Sequence, residues 1–281
     1  MNWVLDTDFR DYFSSLDHQW LERFLEHRIA DERVLRLIQK WLGAGVIEDG
    51  ELKAYDDGVP QGASVSPLLG NVYAHYVFDL WAHQWRTRHA HGDMVMVRFA
   101  DDAVVGFEQR EDAERFWTEL RDRLATFGLE LNAEKTRLIE FGRYAAERRA
   151  ARGLGKPETV QFLGFTHACG KSKKGRFKLK RITDSKRMRT KLHALKGEIQ
   201  RRRHLPIPDQ GRWLASVLRG HYNYYAVPDN IEALSAFRYR IIQHWLKSLR
   251  RRSQKHTMAW TRMDRLADQM AASTAHPASL A

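Results

Sequence analysis

Three aspartates have the type and spacing to do chemistry in this chain: the adjacent Asp101 and Asp102 and, near the start, Asp8. The pair lies between two short β-prone runs, residues 94–98 and 103–107, a pattern that predicts a hairpin with both carboxylates at its tip. Adjacent carboxylates repel, so two at a bend commonly hold a cation, yet aspartate is also frequent in solvated turns, and this stretch by itself fits either reading. Asp8 stands near the end of another strand-like run, residues 3–9. Three carboxylates gathered by a sheet around two divalent cations would form an apparatus for in-line phosphoryl transfer. One cation would lower the pKa of an attacking 3′-hydroxyl and the other would neutralise departing pyrophosphate. Their charge would also let three acids remain ionised side by side.

The elements that must position these residues can be read in order. Asp17 and Asp31 are placed to cap two helices, whose apolar stripes include Trp20, Leu21, Phe24 and Leu25, then Leu35, Ile38, Trp41 and Leu42. Residues 45–55 read as a hairpin turned at Asp49 and Gly50. A Gly/Pro-constrained loop follows, and Ser66-Pro67 starts the next helix. A helix over residues 111–127 buries Phe116, Trp117, Leu120 and Leu124, and a strand is expected over 137–141. Residues 143–157 read as an exposed insertion, 160–165 as one short strand, and everything beyond 171 as helical and basic. Asp209 is expected to open a helix, and a last long one runs from about 230 to 252. There is no internal repeat.

The chain has 281 residues, 43% of them hydrophobic and 29% charged, enough for a full core and two domains. No apolar run reaches the ~20 residues needed to span a bilayer, and the N-terminus does not read as a secretory signal, so a cytoplasmic setting without membrane attachment is expected. Cys169 is the single cysteine, which excludes an internal disulfide and a cysteine-cluster zinc site. Charge is unevenly spread. Residues 1–142 carry 16 Lys/Arg against 26 Asp/Glu, leaving 47 − 16 = 31 against 35 − 26 = 9 for residues 143–281. Between Lys171 and Arg203 stand 15 basic residues against Asp184 and Glu198. Such a density marks a polyanion footprint. A solvated basic helix face or anionic lipid are the alternatives, and the interleaved aromatics favour nucleic acid.

Several motifs occur together and in order: Leu5-Asp-Thr-Asp8-Phe-Arg-Asp-Tyr-Phe13, Pro60-Gln-Gly62 with Ser66-Pro-Leu-Leu69, Arg98-Phe-Ala-Asp-Asp102, Leu129-Glu-Leu-Asn-Ala-Glu-Lys135-Thr, Phe162-Leu-Gly-Phe165 and Leu218-Arg-Gly-His-Tyr-Asn-Tyr-Tyr225. In this form the chain resembles group II intron reverse transcriptases from about residue 3 to about residue 265. The resemblance implies an α+β fold: a polymerase palm of antiparallel strands flanked by helices over residues 1–170, an α-helical thumb or maturase domain over 171–270, and a disordered tail over 271–281. It implies RNA-directed DNA polymerisation with two Mg2+ ions, Mn2+ being an alternative. Asp8, Asp101 and Asp102 would be the ligands, assisted by the backbone carbonyl of Phe9.

The same resemblance makes Phe13 the steric gate under the sugar of the incoming deoxynucleoside triphosphate, sets Gln61 and Gly62 beside the templating pair, and puts Lys135 near the triphosphate. Phe162, Leu163 and Gly164 would hold the primer strand. Lys173, Lys174, Arg176, Arg187, Arg219, His221, Tyr222 and Tyr224 would grip an RNA template with its DNA primer, or intron RNA, by charge and stacking. Plainer roles compete: Phe13 and Phe162 as core aromatics, Lys135 as a surface lysine, the tyrosines as thumb packing. Two departures stand out. Phe99 replaces the family's usual tyrosine, which leaves the metal ligands unchanged. The chain also begins where the palm's first strand begins, so the fingers that clamp nucleotide and template are expected to be missing and polymerisation by this chain alone to be poor. A cysteine-containing nuclease domain is not expected either. A non-enzymatic maturase that binds intron RNA, and a palm polymerase that copies RNA into RNA, are the competing functions; Phe13 at the gate argues against the latter.

Overall fold

Alternation decides the first strand. In β1 (Trp3–Asp8), Val4 and Leu5 are both buried at the start, and beyond them the strand alternates, with Thr7 buried and Asp6 and Asp8 on the opposite face only half-buried. The computed structural model of the protein describes residues 1–44, 46–48, 51–53, 57–59, 64–252 and 258–272. They fall into two units, Met1–Val160 and Gln161–Ala281.

In the first unit, helices α1 (His18–Glu26) and α2 (Glu32–Leu42) start where expected: the Asp17 carboxylate accepts from Trp20 N at 2.9 Å and that of Asp31 from Arg33 N at 2.9 Å. Strands β2 (Val46–Glu48) and β3 (Glu51–Lys53) pair antiparallel, and the expected turn at Asp49 and Gly50 lies outside the described residues. Helix α3 (Ser66–Ala74), with Pro67 in its first turn, runs through a π-helical turn (His75–Asp79) into α4 (Leu80–His89). The hairpin β4 (Met94–Phe99) and β5 (Asp102–Phe107), helix α5 (Arg110–Ala125), β6 (Arg137–Glu140) and α6 (Ala145–Ala151) complete it. The four-stranded sheet has the order β4-β5-β1-β6 and is antiparallel throughout. Its covered face packs Leu5, Val105 and Phe107 with Phe116, Leu120 and Leu124 of α5, all fully buried. Each such side chain contributes roughly 1.5–3 kcal/mol.

Residues 143–157 are largely exposed, as expected, but are not without structure. Ala145–Ala151 within them form α6, where buried Glu140 draws Arg148 (3.1 Å) and Arg152 into ion pairs that tie the segment to β6.

The second unit opens with a hairpin, not the single strand expected over 160–165. Between β7 (Val160–Phe162) and β8 (Phe165–Lys171), Leu163 and Gly164 both take positive φ (49° and 76°), the signature of a tight type I′ turn. The next stretch departs from the helical expectation as well: β9 (Phe177–Thr183) pairs with β8 along its whole length, turning at Gly175 (φ 75°). Helical structure begins only at α7 (Ser185–Arg201), capped by Asp184, and continues in α8 (Ile207–Tyr225), α9 (Ile231–Arg250) and α10 (Trp260–Ala272). Asp209 lies in the first turn of α8, after its start. Leu195, Ile199, Leu214, Leu218, Phe237 and Trp245 form the core of this unit. Buried Asn230 ties the end of β9 to the start of α9, accepting from Thr183 N (2.8 Å) and donating to Thr183 Oγ1 (2.7 Å).

Candidate active site

Asp8 and Asp102 are directly opposite each other in the β1–β5 ladder, and opposed residues of an antiparallel pair share a face with Cβ atoms about 5 Å apart. Both therefore project on the face opposite the one packed on α5, and both are half-buried. Thr7 Oγ1 donates to Ala103 O (2.8 Å) on the buried side and pins this register. Phe99 pairs with Asp102, which leaves Ala100 and Asp101 as a two-residue turn.

Ala100 has φ 54°, strained for a residue with a Cβ. Arg98 holds it there. Its Nη1 donates to Ala100 O (2.8 Å) and Asn71 Oδ1 (2.9 Å), while Nε and Nη2 bind the Asp79 carboxylate bidentately (2.7 and 2.6 Å). Asp79 is the last residue of the π-helical turn, a feature frequent at functional sites. Burial opposes the Arg98 charge, but Asp79 outweighs it and the guanidinium's pKa is raised.

Phe9 follows Asp8 and forms an isolated bridge with Leu131, flanked by Arg10 N→Glu130 O and Asn132 N→Asp8 O, both 2.8 Å. That is the non-hydrogen-bonded antiparallel pattern, which turns Phe9's own N–H and C=O toward the other side, the β5 side. Beyond it the chain bends through Asp11 (φ 44°) into a 3-10 turn, Tyr12–Ser14. Buried Tyr12 donates to Gly70 O at 2.6 Å, and half-buried Phe13 packs edge-on against it at 5.3 Å. A Cβ on Gly70 would stand 2.9 Å from Phe13 Cε1, so this glycine in α3 makes the seat of Phe13.

Two cations face the acids from the β6 side. Lys135 Nζ lies 3.2 Å from Asp8 Oδ2, and Arg137, in register with Asp6, lies 3.3 Å from its Oδ2. Lys135 is two-thirds exposed, so its pair contributes little stability and is free to exchange partners. Asp6 is the residue that motif reading missed. Its carboxyl pKa is raised, by burial first and also by Asp102 and Asp8, against the lowering by Arg137. The alternation Asp6-Thr7-Asp8 carries the signal, since residues two apart in a strand share a face. Among the described residues no three His, Cys, Asp or Glu side chains are assembled as a metal-binding group. Gln61 and Gly62 lie outside the described residues.

In the second unit, Phe162 is half-buried at the end of β7, and the Leu163–Gly164 turn is held by Tyr224, whose hydroxyl donates to Leu163 O at 2.9 Å while its ring stacks on Phe165 at 5.9 Å. Lys173, Lys174 and Arg176 are exposed at the β8–β9 tip, Arg187 on the first turn of α7 and Arg219 on α8. His221 and Tyr222 are buried, where packing inside the unit accounts for them. His221 stacks 3.7 Å from Phe237, and burial, then Lys191, lower its pKa to about 4, so it is neutral at pH 7.

A family model described as "Reverse transcriptase (RNA-dependent DNA polymerase)" matches residues 1–167. The chain belongs to the reverse transcriptase family. Its relatives include protein YkfC of Escherichia coli (38% identical over 82 residues; 29% of this chain, 21% of YkfC). The group II intron-encoded protein LtrA of Lactococcus lactis is 27% identical over 156 residues, covering 51% of this chain and 26% of LtrA. An uncharacterised 91 kDa protein in the cob intron of Schizosaccharomyces pombe is 38% identical over 73 residues, 26% of this chain and 9% of that protein. The chain thus spans about a quarter or less of the length of these relatives. A solved structure of apo telomerase from Candida tropicalis shares the fold with TM-score 0.52 at 10% identity, covering 99% of this chain and 51% of that one. The expected α+β, palm-like fold is borne out. Among the described residues no helix is long and apolar enough to cross a membrane.

Proposed function

We propose that this reverse transcriptase chain carries the polymerising palm of a group II intron element, near residues 1–170, followed by an RNA-gripping thumb near 171–270. The reaction would be RNA-directed DNA synthesis by two-metal nucleotidyl transfer. The observation that carries the reading is the register that sets Asp8 opposite Asp102, with Asp101 in the adjoining turn.

The donors that would hold the two cations are hard oxygens, the carboxylates of Asp8, Asp101 and Asp102 and the Phe9 carbonyl turned toward the β5 side, a chemistry that would suit Mg2+ or Mn2+. Divalent cations held by Asp8, Asp101 and Asp102 would activate a primer 3′-hydroxyl and offset the charge of departing pyrophosphate. Arg98 keeps the Ala100–Asp101 turn in its strained form, so Asp101 is oriented before substrate arrives. Lys135, exposed and paired with Asp8, would supply a mobile positive charge for the triphosphate. Phe13, seated on Tyr12 and Gly70, presents a ring edge that would exclude a 2′-hydroxyl and favour deoxynucleotides. Gln61 and Gly62 would flank the templating pair, and the basic second unit would hold template, primer or intron RNA.

The test is primer extension on an RNA template with magnesium and deoxynucleotides, comparing the natural chain with its Asp101→Ala/Asp102→Ala variant. The expected result is extension by the first and none by the second. No extension by either, with salt-sensitive RNA binding by both, would refute polymerisation and leave the second reading, a non-enzymatic intron RNA-binding protein, which the 31-to-9 excess of basic residues after position 142 favours.

A further inference from the structure

Lys135 is the residue named above for the triphosphate, yet its ammonium lies at a carboxylate: Nζ donates to Asp8 Oδ2 at 3.2 Å. The backbone on both sides fixes the two residues relative to each other. Asp8 O accepts from Asn132 N (2.8 Å), and Asp8 N donates to the hydroxyl of buried Thr136 (3.3 Å). Asn132 also closes the turn that carries Lys135, its carbonyl accepting from Thr136 N (2.8 Å) and its side chain from Glu134 N (3.1 Å). Lysine is a compact ammonium on a flexible four-carbon stem. A clamped backbone under a free stem makes a tethered ion, always near Asp8 and never locked to it.

Arg137 differs on each point. It stands directly opposite Asp6 in the β1–β6 ladder, binds that carboxylate at 3.3 Å and reaches Glu158 with its other terminal nitrogen at 3.8 Å. Its side chain is less exposed than that of Lys135, and Asp6 is less exposed than Asp8. The two cations therefore divide the acidic face. Arg137 is the fixed counter-charge one row behind Asp8 and Asp102, and Lys135 is the exchangeable one, placed on a carboxylate that the two-metal reading gives to a cation. There the ammonium already does part of a metal ion's work, offsetting the repulsion between the opposed carboxylates of Asp8 and Asp102.

We infer that Lys135 is the resident counter-ion of Asp8, which a divalent cation must displace to bind there. The inference rests on the two-metal reading above and deepens it. Displacement releases the ammonium for the triphosphate, so metal on Asp8 and phosphate on Lys135 favour each other reciprocally. Across one carboxylate, roughly 5 Å, a unit charge and a dipositive ion repel enough in water to shift affinity about fivefold at 0.15 M salt and about tenfold at 0.01 M. Removing the Lys135 charge should therefore tighten metal binding by that factor, a gain that damage to the fold does not produce.

The experiment titrates Mn2+ into the full chain without nucleotide or nucleic acid and counts free Mn2+ by electron paramagnetic resonance. Lys135→Gln should bind about fivefold tighter than the natural chain at 0.15 M salt, and about tenfold tighter at 0.01 M. Lys135→Arg, which keeps the charge, should bind like the natural chain, and so should Lys40→Gln, which removes an exposed charge from α2. Asp8→Asn/Lys135→Gln should bind no tighter than Asp8→Asn, because Lys135 acts through that carboxylate. Binding that Asp8→Asn weakens but Lys135→Gln leaves unchanged or weaker would overturn the counter-ion role and leave the two-metal reading standing. A gain of equal size with Asp8 replaced, or from Lys40→Gln, would overturn it too. Absence of Mn2+ binding in both the natural chain and Lys135→Gln would overturn the two readings together.

Discussion

Replacing Arg98 by methionine tests whether the turn that carries Asp101 is held from behind. The substitution keeps the aliphatic stem and removes a guanidinium that binds Asp79 twice, Asn71 once and the Ala100 carbonyl once. The Arg98 side chain is 11% exposed and that of Asp79 25%. Stripping one partner from a fully buried ion pair costs about 3–5 kcal/mol, chiefly through the stranded charge. Asp79 retains a quarter of its exposure, so water partly relieves it and the loss should be about 2–3 kcal/mol. Freeing the Ala100 carbonyl adds about 1 kcal/mol.

Arg98→Met/Asp79→Leu removes both charges and should recover most of that loss, giving a coupling of about 2 kcal/mol in a double-mutant cycle. The turn remains unheld in the double variant. Ala100 can then relax from φ 54°, Asp101 drifts, and polymerisation should stay at least tenfold down although stability returns. Urea unfolding followed by tryptophan fluorescence gives the first quantity, and primer extension under folded conditions the second. Additive single variants, with coupling under about 0.5 kcal/mol, would refute the ion pair as the brace. A double variant as active as the natural chain would refute the link from brace to turn.

Three further outcomes follow from the packing. Gly164→Ala forces a side chain into φ 76° and brings a Cβ within 2.8 Å of Tyr225 Oη, so the second unit should lose about 2 kcal/mol in urea unfolding. Gly70→Ala should forgo the gain of about 1 kcal/mol that helix propensity offers, because the new methyl meets Phe13; ribonucleotide incorporation should rise as the ring is displaced. His221 has its pKa lowered to about 4 by burial, then by Lys191, so the unfolded chain binds its proton first as pH falls. Stability is therefore intact above pH ~6.5 and lost progressively down to about pH 4, by up to about 3 kcal/mol, a loss that His221→Phe should abolish in unfolding curves taken across that range.

Local rules made much of this protein legible before its structure. Asp17 and Asp31 cap their helices because a cap needs only a carboxylate and amides two or three residues on. The β4–β5 hairpin follows from β-prone runs meeting at a two-residue turn, and the charge imbalance between the halves is visible in composition alone. What stayed hidden depends on partners distant in sequence. The same Phe-Leu-Gly-Phe that reads as one strand is a hairpin, because β8 and β9 pair and Tyr224 binds the Leu163 carbonyl. His221 reads as one of a nucleic-acid-gripping cluster, yet it is buried with its ring stacked on Phe237. Asp6 reads as a strand residue, yet its pair with Arg137 and the nearby charges of Asp8 and Asp102 make it part of the acidic face. Period and capping are written within one turn or two of chain. Whether a polar group meets water, a counter-charge or an aromatic ring is settled only when β1 takes its place between β5 and β6, and when α7 and α9 close over a common core.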